Sequence, residues 1–310
     1  MVSWIGRFLF LMKRNSTMPF AFGKNWSNYL RQLDQQQIDA ASDSLAKLLK
    51  LNDHSGKSFL DAGSGSGLFS LAAHRMGMIV TSFDIDPQSV ECTQTLRAKF
   101  GQSHPEWRIE YGSLTDKSFM ESLGNFDIVY CWGVAHHSGK MWEAIENLLP
   151  RVQPGGRIVL AIYNDQKHIS RAWSIVKQLY QRLPRFLRPL FVAFIGAWLR
   201  LQRLAATFVA CSLRVLTLRN PLVPVQNWFN EARARGMSSW YDLVDWVGGW
   251  PFEVATPEAI FRFARDRGFT LEELTTCQGH GCNEFVFVRQ RPITAITKSL
   301  DVTDEANPAI

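Results

Sequence analysis

Apolar residues fall along this chain in two alternating rhythms. Short dense runs, Phe59 to Ala62, Ile79 to Phe83, Trp107 to Tyr111, Phe126 to Trp132 and Arg157 to Tyr163, are bounded by glycine, proline or charged residues and read as strands. Between them lie stretches with helical spacing. One runs from about Asn28 to Leu51, with Leu30, Leu33, Ile38, Ala41, Leu45 and Leu48 recurring; others are Val90 to Phe100 and Met141 to Leu149. The alternation stops after Tyr163 and resumes with a helix, Pro257 to Arg267, and two more strands, Phe269 to Leu274 and Asn283 to Arg289. Strands interleaved with helices predict an α/β fold with a sheet of seven strands.

The first strand runs directly into Asp61-Ala62-Gly63-Ser64-Gly65-Ser66-Gly67 and then into the apolar helix start Leu68-Phe69-Ser70-Leu71. A glycine-rich strand-to-helix turn brings a nucleotide against bare backbone at a helix N-terminus. A dinucleotide fingerprint needs its third glycine at position 68, where this chain has Leu68, which argues against NAD. The second strand ends in Asp84-Ile85, where a carboxylate can accept hydrogen bonds from both hydroxyls of a ribose. Asp86-Pro87 after it reads as an N-cap followed by proline in the first helical turn.

Asp-x-Gly-x-Gly-x-Gly followed by an acid at the next strand end resembles motif I and its sequel in the class I S-adenosylmethionine (SAM) methyltransferases. The Pro154-Gly155-Gly156 turn before an apolar strand matches that family too. The resemblance covers Ser58 to Tyr163 and Pro257 to Arg289, and implies a Rossmann-like sheet with SAM as cofactor. It implies cofactor contacts at Asp61, Gly63, Ser64, Gly65, Gly67, Asp84, Ile85, Ser113, Leu114 and Trp132. The family often has an acid where this chain has Ser113, one residue after Gly112. Upstream, Phe22 and Trp26 are candidates for a lid over the ligand, or for a hydrophobic staple onto the core.

The fourth strand ends in Gly133-Val134-Ala135-His136-His137, where the family's acceptor commonly sits. Neither the Asp/Asn-Pro-Pro-Tyr of DNA amino-methyltransferases nor the Pro-Cys of cytosine C5 enzymes is present. The His-His pair looks instead like the small-molecule and quinone-type enzymes. His136 or His137 can take a proton from an acceptor hydroxyl, or one can cap the next helix without proton chemistry. Metal-dependent catechol-type enzymes need an acid at this strand end, and the chain has none there, so no metal is expected. Cys277-Gln278-Gly279-His280-Gly281-Cys282 offers three soft ligands without a fourth and reads as a hairpin loop.

Charge singles out residues 164–256 as an insertion. The chain of 310 residues has net charge +6, yet Asn164 to Asn220 alone carries ten basic residues and one acid, leaving the remainder at −3. His168 to Leu183 reads as a helix, broken by Pro184 and Pro189. The run from Pro189 to Leu218 is very apolar, with Arg200, Gln202 and Arg203 too central for a membrane span. On a wheel of about 100° per residue, Arg200, Arg203 and Arg214 fall within about 60° of one another. Such a helix lies on an anionic membrane surface, or packs its apolar side on the body or on a second copy of the chain. The insertion ends in Trp240-Tyr241-Asp242-Leu243-Val244-Asp245-Trp246-Val247-Gly248-Gly249-Trp250-Pro251-Phe252. Its rings suit the walls of an acceptor pocket, and Asp242 and Asp245 suit orienting or deprotonating a hydroxyl. An aromatic cluster tying the insertion to the body is the other reading.

The expected organisation is thus a lid segment (1–57), a SAM-binding core (58–163), a helical insertion (164–256), the end of the core (257–290) and a disordered tail (291–310). Met1 to Met12 is apolar but interrupted by Arg7 and lacks a cleavage site, unlike a signal peptide. Five irregularly spaced cysteines suit a reducing compartment. The expected location is cytoplasmic, or peripheral on the inner membrane face if the basic helix lies there. The resemblance implies a methyltransferase acting on a hydroxyl of a small or lipid-linked acceptor. Its rivals are an RNA methyltransferase using the basic insertion and a non-catalytic binding subunit. The arginines alternate with apolar runs, which makes nucleic acid the less favoured partner.

Overall fold

A computed structural model describes residues 33–50, 53–101, 106–226, 239–277 and 281–291, with Gly23, Trp26, Leu30, Arg31 and Gly279; for Ser239, Tyr241 and Asp242 it describes the backbone alone. The readings made for Phe22, for the first twelve residues, for His280, for the Asp242 side chain and for the tail after Arg291 lie outside that description.

Asp34 sets the start of the first long helix, α1 (Gln35–Leu49): its side chain accepts from the Gln37 amide, and the Gln37 side chain accepts in return from the Asp34 amide. The helix begins later than apolar spacing suggested because this reciprocal cap fixes it. From there strands and helices alternate: β1 (Ser58–Ala62), α2 (Leu68–Arg75), β2 (Ile79–Asp84), α3 (Pro87–Phe100), β3 (Trp107–Tyr111), α4 (Lys117–Ser122), β4 (Phe126–Trp132), α5 (Met141–Leu148) and β5 (Val152–Tyr163). After the insertion come α9 (Pro257–Arg265), β6 (Phe269–Thr275) and β7 (Cys282–Arg289). They form one seven-stranded sheet in the order β3-β2-β1-β4-β5-β7-β6. β7 runs antiparallel to its neighbours, β5 and β6.

Alternate residues of the strands feed two separate cores. Leu60, Val129, Cys131, Ile158 and Leu160 pack under α5 and α9, while Phe59, Ile128, Tyr130 and Val159 pack under α1 and α2. Both faces are covered, which is why these strands read as continuous apolar runs. The Pro154-Gly155-Gly156 turn proves to lie within β5: pairing with β4 resumes after an irregularity between Phe126 and Ile128, so the strand starts at Val152.

The insertion begins as α6 (His168–Arg182), turns at Pro184 and continues as α7 (Arg188–Leu216); α8 (Ser239–Gly248) leads back to the core. Pro189 sits in the first turn of α7, where its missing N–H costs nothing, so it starts the helix rather than breaking it. Tyr180, Val192 and Val247 form a small third core joining the three helices, with Trp173 and Leu243 packed on it.

Candidate functional site

The glycine turn between β1 and α2 is held open by two positions where a side chain has no place. Gly63 has φ +86°, and an added Cβ would lie 2.4 Å from Val134 Cγ1. Gly65 has φ +54°, with the Trp26 indole nitrogen 3.0 Å from such a Cβ. The amides of Gly63 and Ser64 both donate to the Phe83 carbonyl, which ties the turn to the end of β2. Ser64 Oγ lies 3.0 Å from Thr93 Oγ1, and Gly67 is the N-cap of α2. Trp26 therefore stands over the turn, and Gly23 donates its amide to Asp86 Oδ2 at 2.9 Å.

The two acids take different positions. Asp84 accepts from the Gly65 amide at 3.0 Å through one oxygen and from the Asp86 amide at 2.8 Å through the other. A carboxylate offers about four lone-pair positions, so room remains for two hydroxyls. Burial raises its pKa, while these amides hold it down. Beside it Ile85 is 60% exposed, an apolar side chain at a strand end. Asp61 lies beneath the turn, 3% exposed, where the Ser70 hydroxyl donates to it; Ser70 meets Ser82 at 2.7 Å, and Trp107 donates its indole N–H to Ser82. Burial pushes the Asp61 carboxyl up to about 7, against the pull of Ser70.

Three residues expected at the cofactor are engaged in other contacts. Leu114 is buried in the main core and its carbonyl accepts from Asn147. Ser113 Oγ pairs with Thr115 Oγ1 and accepts the Thr115 amide. Trp132 is partly exposed and donates to Glu284 at 3.3 Å.

At the carboxyl ends of β4 and β5 a second group assembles. His136 and His137 lie in one short 3-10 turn, Ala135–His137, so they leave it in different directions. His137 Nδ1 donates to the Pro251 carbonyl at 2.6 Å, which fixes the tautomer with its lone pair on Nε2. Burial pushes this ring down to about 3. His136 is fully buried, with its ring centroid 3.8 Å from that of Tyr163 and neither ring nitrogen in a normal hydrogen bond. Burial, with His137 and Lys177 nearby, holds it well below the usual histidine range. Glu253 joins this loop to the insertion: its amide donates to the His136 carbonyl, and its side chain accepts the Met141 amide.

Sequence reasoning missed Lys177. It stands on α6 at 0% exposure, donating to the Trp246 carbonyl, with Nζ 4.7 Å from the Trp246 ring centroid, 4.9 Å from Phe252 and 5.9 Å from Tyr163. Gln181, one turn on, donates to the Gly248 carbonyl at 2.6 Å. The two side chains thus cap the last carbonyls of α8, where the helix dipole favours a cation. Burial pushes the ammonium down to about 7, and Asp245 pulls it up. One signal was available: Lys177 lies four residues after Trp173 and three before Tyr180, on the apolar side of its helix. Tyr163, Trp246 and Phe252 also border a small recess with Asn164, Gln166 and Ser170. Among the described residues no three His, Cys, Asp or Glu side chains gather as metal ligands.

Beyond Gly196, which fits against Leu243, α7 leaves the body. Phe194, Trp198, Leu201, Phe208, Leu213 and Leu216 are all exposed, Phe208 at 74%. By length and composition α7 is also long and apolar enough to cross a membrane.

Residues 60–158 match the model of a methyltransferase domain. Over 114 residues the chain is 32% identical to a mitochondrial ubiquinone biosynthesis O-methyltransferase of Schizosaccharomyces pombe, covering 36% of this chain and 39% of that protein. Over 154 residues it is 28% identical to the ubiquinone biosynthesis O-methyltransferase of Pseudomonas paraeruginosa, covering 47% and 63%. The chain thus spans less than two thirds of the length of these relatives. A magnesium protoporphyrin IX methyltransferase from Synechocystis, solved with bound SAH, aligns at TM-score 0.48 and 14% identity over 82% of this chain and 83% of that one. The glycine turn and the acid at the end of β2 lie within residues 60–158, and that segment is a methyltransferase domain.

Proposed function

We propose that the chain transfers a methyl group from SAM to a hydroxyl of a small or lipid-linked acceptor, working at the inner surface of a membrane. The observation that carries the reading is the glycine turn bound to Asp84 through the Gly65 amide, with His136, His137 and Tyr163 grouped at the ends of β4 and β5. The similarity to ubiquinone biosynthesis O-methyltransferases supports a hydroxyl acceptor.

The residues at the turn fit the cofactor: Asp84 accepts one amide on each oxygen and keeps lone pairs for the two ribose hydroxyls. SAM, when bound, supplies a methyl carbon activated by a positively charged sulfur. Asp84 would hold the ribose hydroxyls, Ile85 would lie against the adenine, and the turn from Gly63 to Gly67, whose Gly63, Ser64, Gly65 and Gly67 amides are bonded within the protein, would lie beside the amino-acid end. Asp61 holds the turn from below through Ser70. Trp26 covers the site and keeps water from it. His137, oriented by Pro251 and kept neutral by burial that makes it a weak base, would stand beside the acceptor, with His136 and Tyr163 forming the wall. Asp245 acts on the cleft through Lys177.

The membrane part of the reading rests on α7. Its first turns are held by Val192 and Gly196, and its exposed apolar residues share the helix with the Arg200, Arg203 and Arg214 stripe. A helix so attached lies along the surface, with arginines on anionic headgroups.

The test is incubation of the full chain with radiolabelled SAM and a panel of phenols and catechols, free and prenylated, beside isothermal titration with S-adenosylhomocysteine. Cofactor binding and label in an ether-linked product are expected. Label in RNA alone, or no cofactor binding, overturns the reading.

A further inference from the structure

The hairpin of β6 and β7 closes between two cysteines, and its register sets them face to face. Leu274 pairs with Phe285 and Thr275 with Glu284. Carried on, the same register places Cys277 opposite Cys282, with Gln278 to Gly281 as the connecting loop. Residues directly opposite in an antiparallel pair send their side chains to the same side. Gly281, the neighbour of Cys282, gives an independent measure: a Cβ built on it would lie 2.7 Å from Cys277 Sγ. The Cys277 sulfur therefore rests against the backbone beside Cys282, in space that a glycine leaves open. Both residues are thiols, partly reached by solvent. Cys92 and Cys131 are buried in α3 and β4, and Cys211 stands on α7.

The backbone of the pair is fixed to the sheet. Cys282 pairs on its other side with Tyr163, and Asn164 Nδ2 donates to the Cys277 carbonyl at 3.0 Å. Buried Asn283 accepts the Cys277 amide at 3.0 Å and donates to Asn164 Oδ1 at 3.1 Å. Directly opposite Cβ atoms lie about 4.5–5.5 Å apart in such a ladder, and a disulfide takes about 3.5–4.5 Å, so closing one draws the mouth of the hairpin in by about 1 Å. The loop can follow: Gly279 has φ +117°, and a Cβ on it would meet nothing within 4 Å.

We infer that Cys277 and Cys282 form a reversible disulfide across the mouth of the β6–β7 hairpin, a redox-sensitive clasp on the loop beside Tyr163. The oxidant is a low-molecular-weight disulfide such as glutathione disulfide. The Cys277 thiolate attacks one of its sulfurs, the S–S bond breaks, and one glutathione leaves from a mixed disulfide on Cys277. Cys282 then gives up its proton and attacks Cys277 Sγ, releasing the second glutathione. Two protein thiols have thereby passed two electrons and two protons to two glutathione molecules. Burial pushes the Cys282 thiol up to about 12, with Glu284 and Cys277 adding to the shift, so Cys277 attacks first. A thiol held so far up gives the reduced form no thiolate stabilisation, which favours the closed form. The clasp depends neither on the acceptor nor on methyl transfer.

The experiment equilibrates the full chain with mixtures of reduced and oxidised glutathione, quenches in acid, alkylates in denaturant and digests with trypsin. Both cysteines fall in one tryptic peptide, Gly268 to Arg289, which holds no other cysteine. Wild type is expected to yield this peptide unalkylated and lighter by two hydrogens, and alkylated at both positions after dithiothreitol. Half-oxidation is expected at a glutathione disulfide level at least about tenfold lower than for the same chain in urea, where only the short loop brings the sulfurs together. Cys282→Ser, shown folded by a thermal melt near that of wild type, is expected to stop with one glutathione on Cys277. A wild-type peptide alkylated at both positions in the most oxidising mixture overturns the inference. So does a peptide carrying two glutathiones, a disulfide to Cys211 in its place, or a midpoint equal to that in urea.

Discussion

Replacing Asp84 by alanine removes the acceptor of two backbone amides at once. The Gly65 and Asp86 N–H groups lie 3.0 and 2.8 Å from its two oxygens, and both belong to segments that shape the cofactor site. A hydrogen bond to a charged group contributes about 1.5–3 kcal/mol, and a partly buried amide left without an acceptor costs about 1–3 kcal/mol. Solvent reaches part of this strand end, so the lower figures apply, and the turn loses order worth about 2–3 kcal/mol. Binding then loses the ribose contacts as well. Together these weaken S-adenosylhomocysteine by at least about a hundredfold, equivalent to about 3 kcal/mol. Asp84→Asn retains one carbonyl oxygen but turns an NH2 group toward the second amide, so it falls between wild type and alanine. Isothermal titration of the three proteins measures the order directly. Burial raises the Asp84 pKa, and a protonated acid accepts fewer hydrogen bonds. Affinity for S-adenosylhomocysteine therefore falls on acidification, starting above the ordinary carboxylate range. If Asp84→Ala binds within threefold of wild type, the assignment of this acid to the cofactor is refuted.

Three further outcomes follow from buried charge and exposed surface. The Asp61 carboxyl titrates near 7 when folded and near 3.8 when not, so the folded state holds the extra proton between these values. Stability to urea therefore falls as pH rises from about 4 to 7, by up to about 1.4 kcal/mol per pH unit, and Asp61→Asn flattens that slope. Lys177 has the opposite sign: its folded value near 7 lies below the ordinary 10.5, so wild type gains stability between pH 7 and 10.5, and Lys177→Met loses that gain. Flotation with anionic liposomes is expected at low salt, weakening as salt rises. Replacing Trp198 and Phe208 by serine is expected to abolish it, whereas a chain that never floats but elutes as a dimer assigns α7 to a second copy.

Much of the core was legible because its strands are buried on both faces. β3 and β4 begin and end where their apolar runs do, and the positive-φ glycines with Asp84 identify the turn from spacing alone. The start of β5 was not legible. Pro154-Gly155-Gly156 has the composition of a turn and Gly155 keeps φ +82°, but Val152 before it already pairs with Phe126, and the ladder to β4 skips from there to Arg157. His136 and His137 are indistinguishable as neighbours in a sequence. They separate because their 3-10 turn directs one under Tyr163 and the other toward Pro251. Leu114 reads as a strand-end residue beside the ligand, yet its side chain turns into the core. Lys177 was hidden for another reason. It is one of ten bases in a basic stretch, and the rings that enclose it arrive from β5, from α8 and from the segment after Gly249. No local pattern carries that convergence.

The insertion divides into two parts by position along the chain. Its beginning and end build the cleft: α6 leaves directly after β5 and brings Lys177, while α8 and the segment from Trp250 to Glu253 bring Asp245, Trp246 and Phe252 back across it. Glu253 locks this return by bonding to His136 and Met141, so the roof is tied to the loop that carries the histidines. Most of α7 lies between these ends and away from them, joined to the roof through Val192 and through the contact of Gly196 with Leu243. A change on its exposed side leaves the residues of the cleft untouched. A change at Gly196 reaches the cleft through Leu243 and α8, because an added Cβ there would meet Leu243 Cδ2 at 2.5 Å.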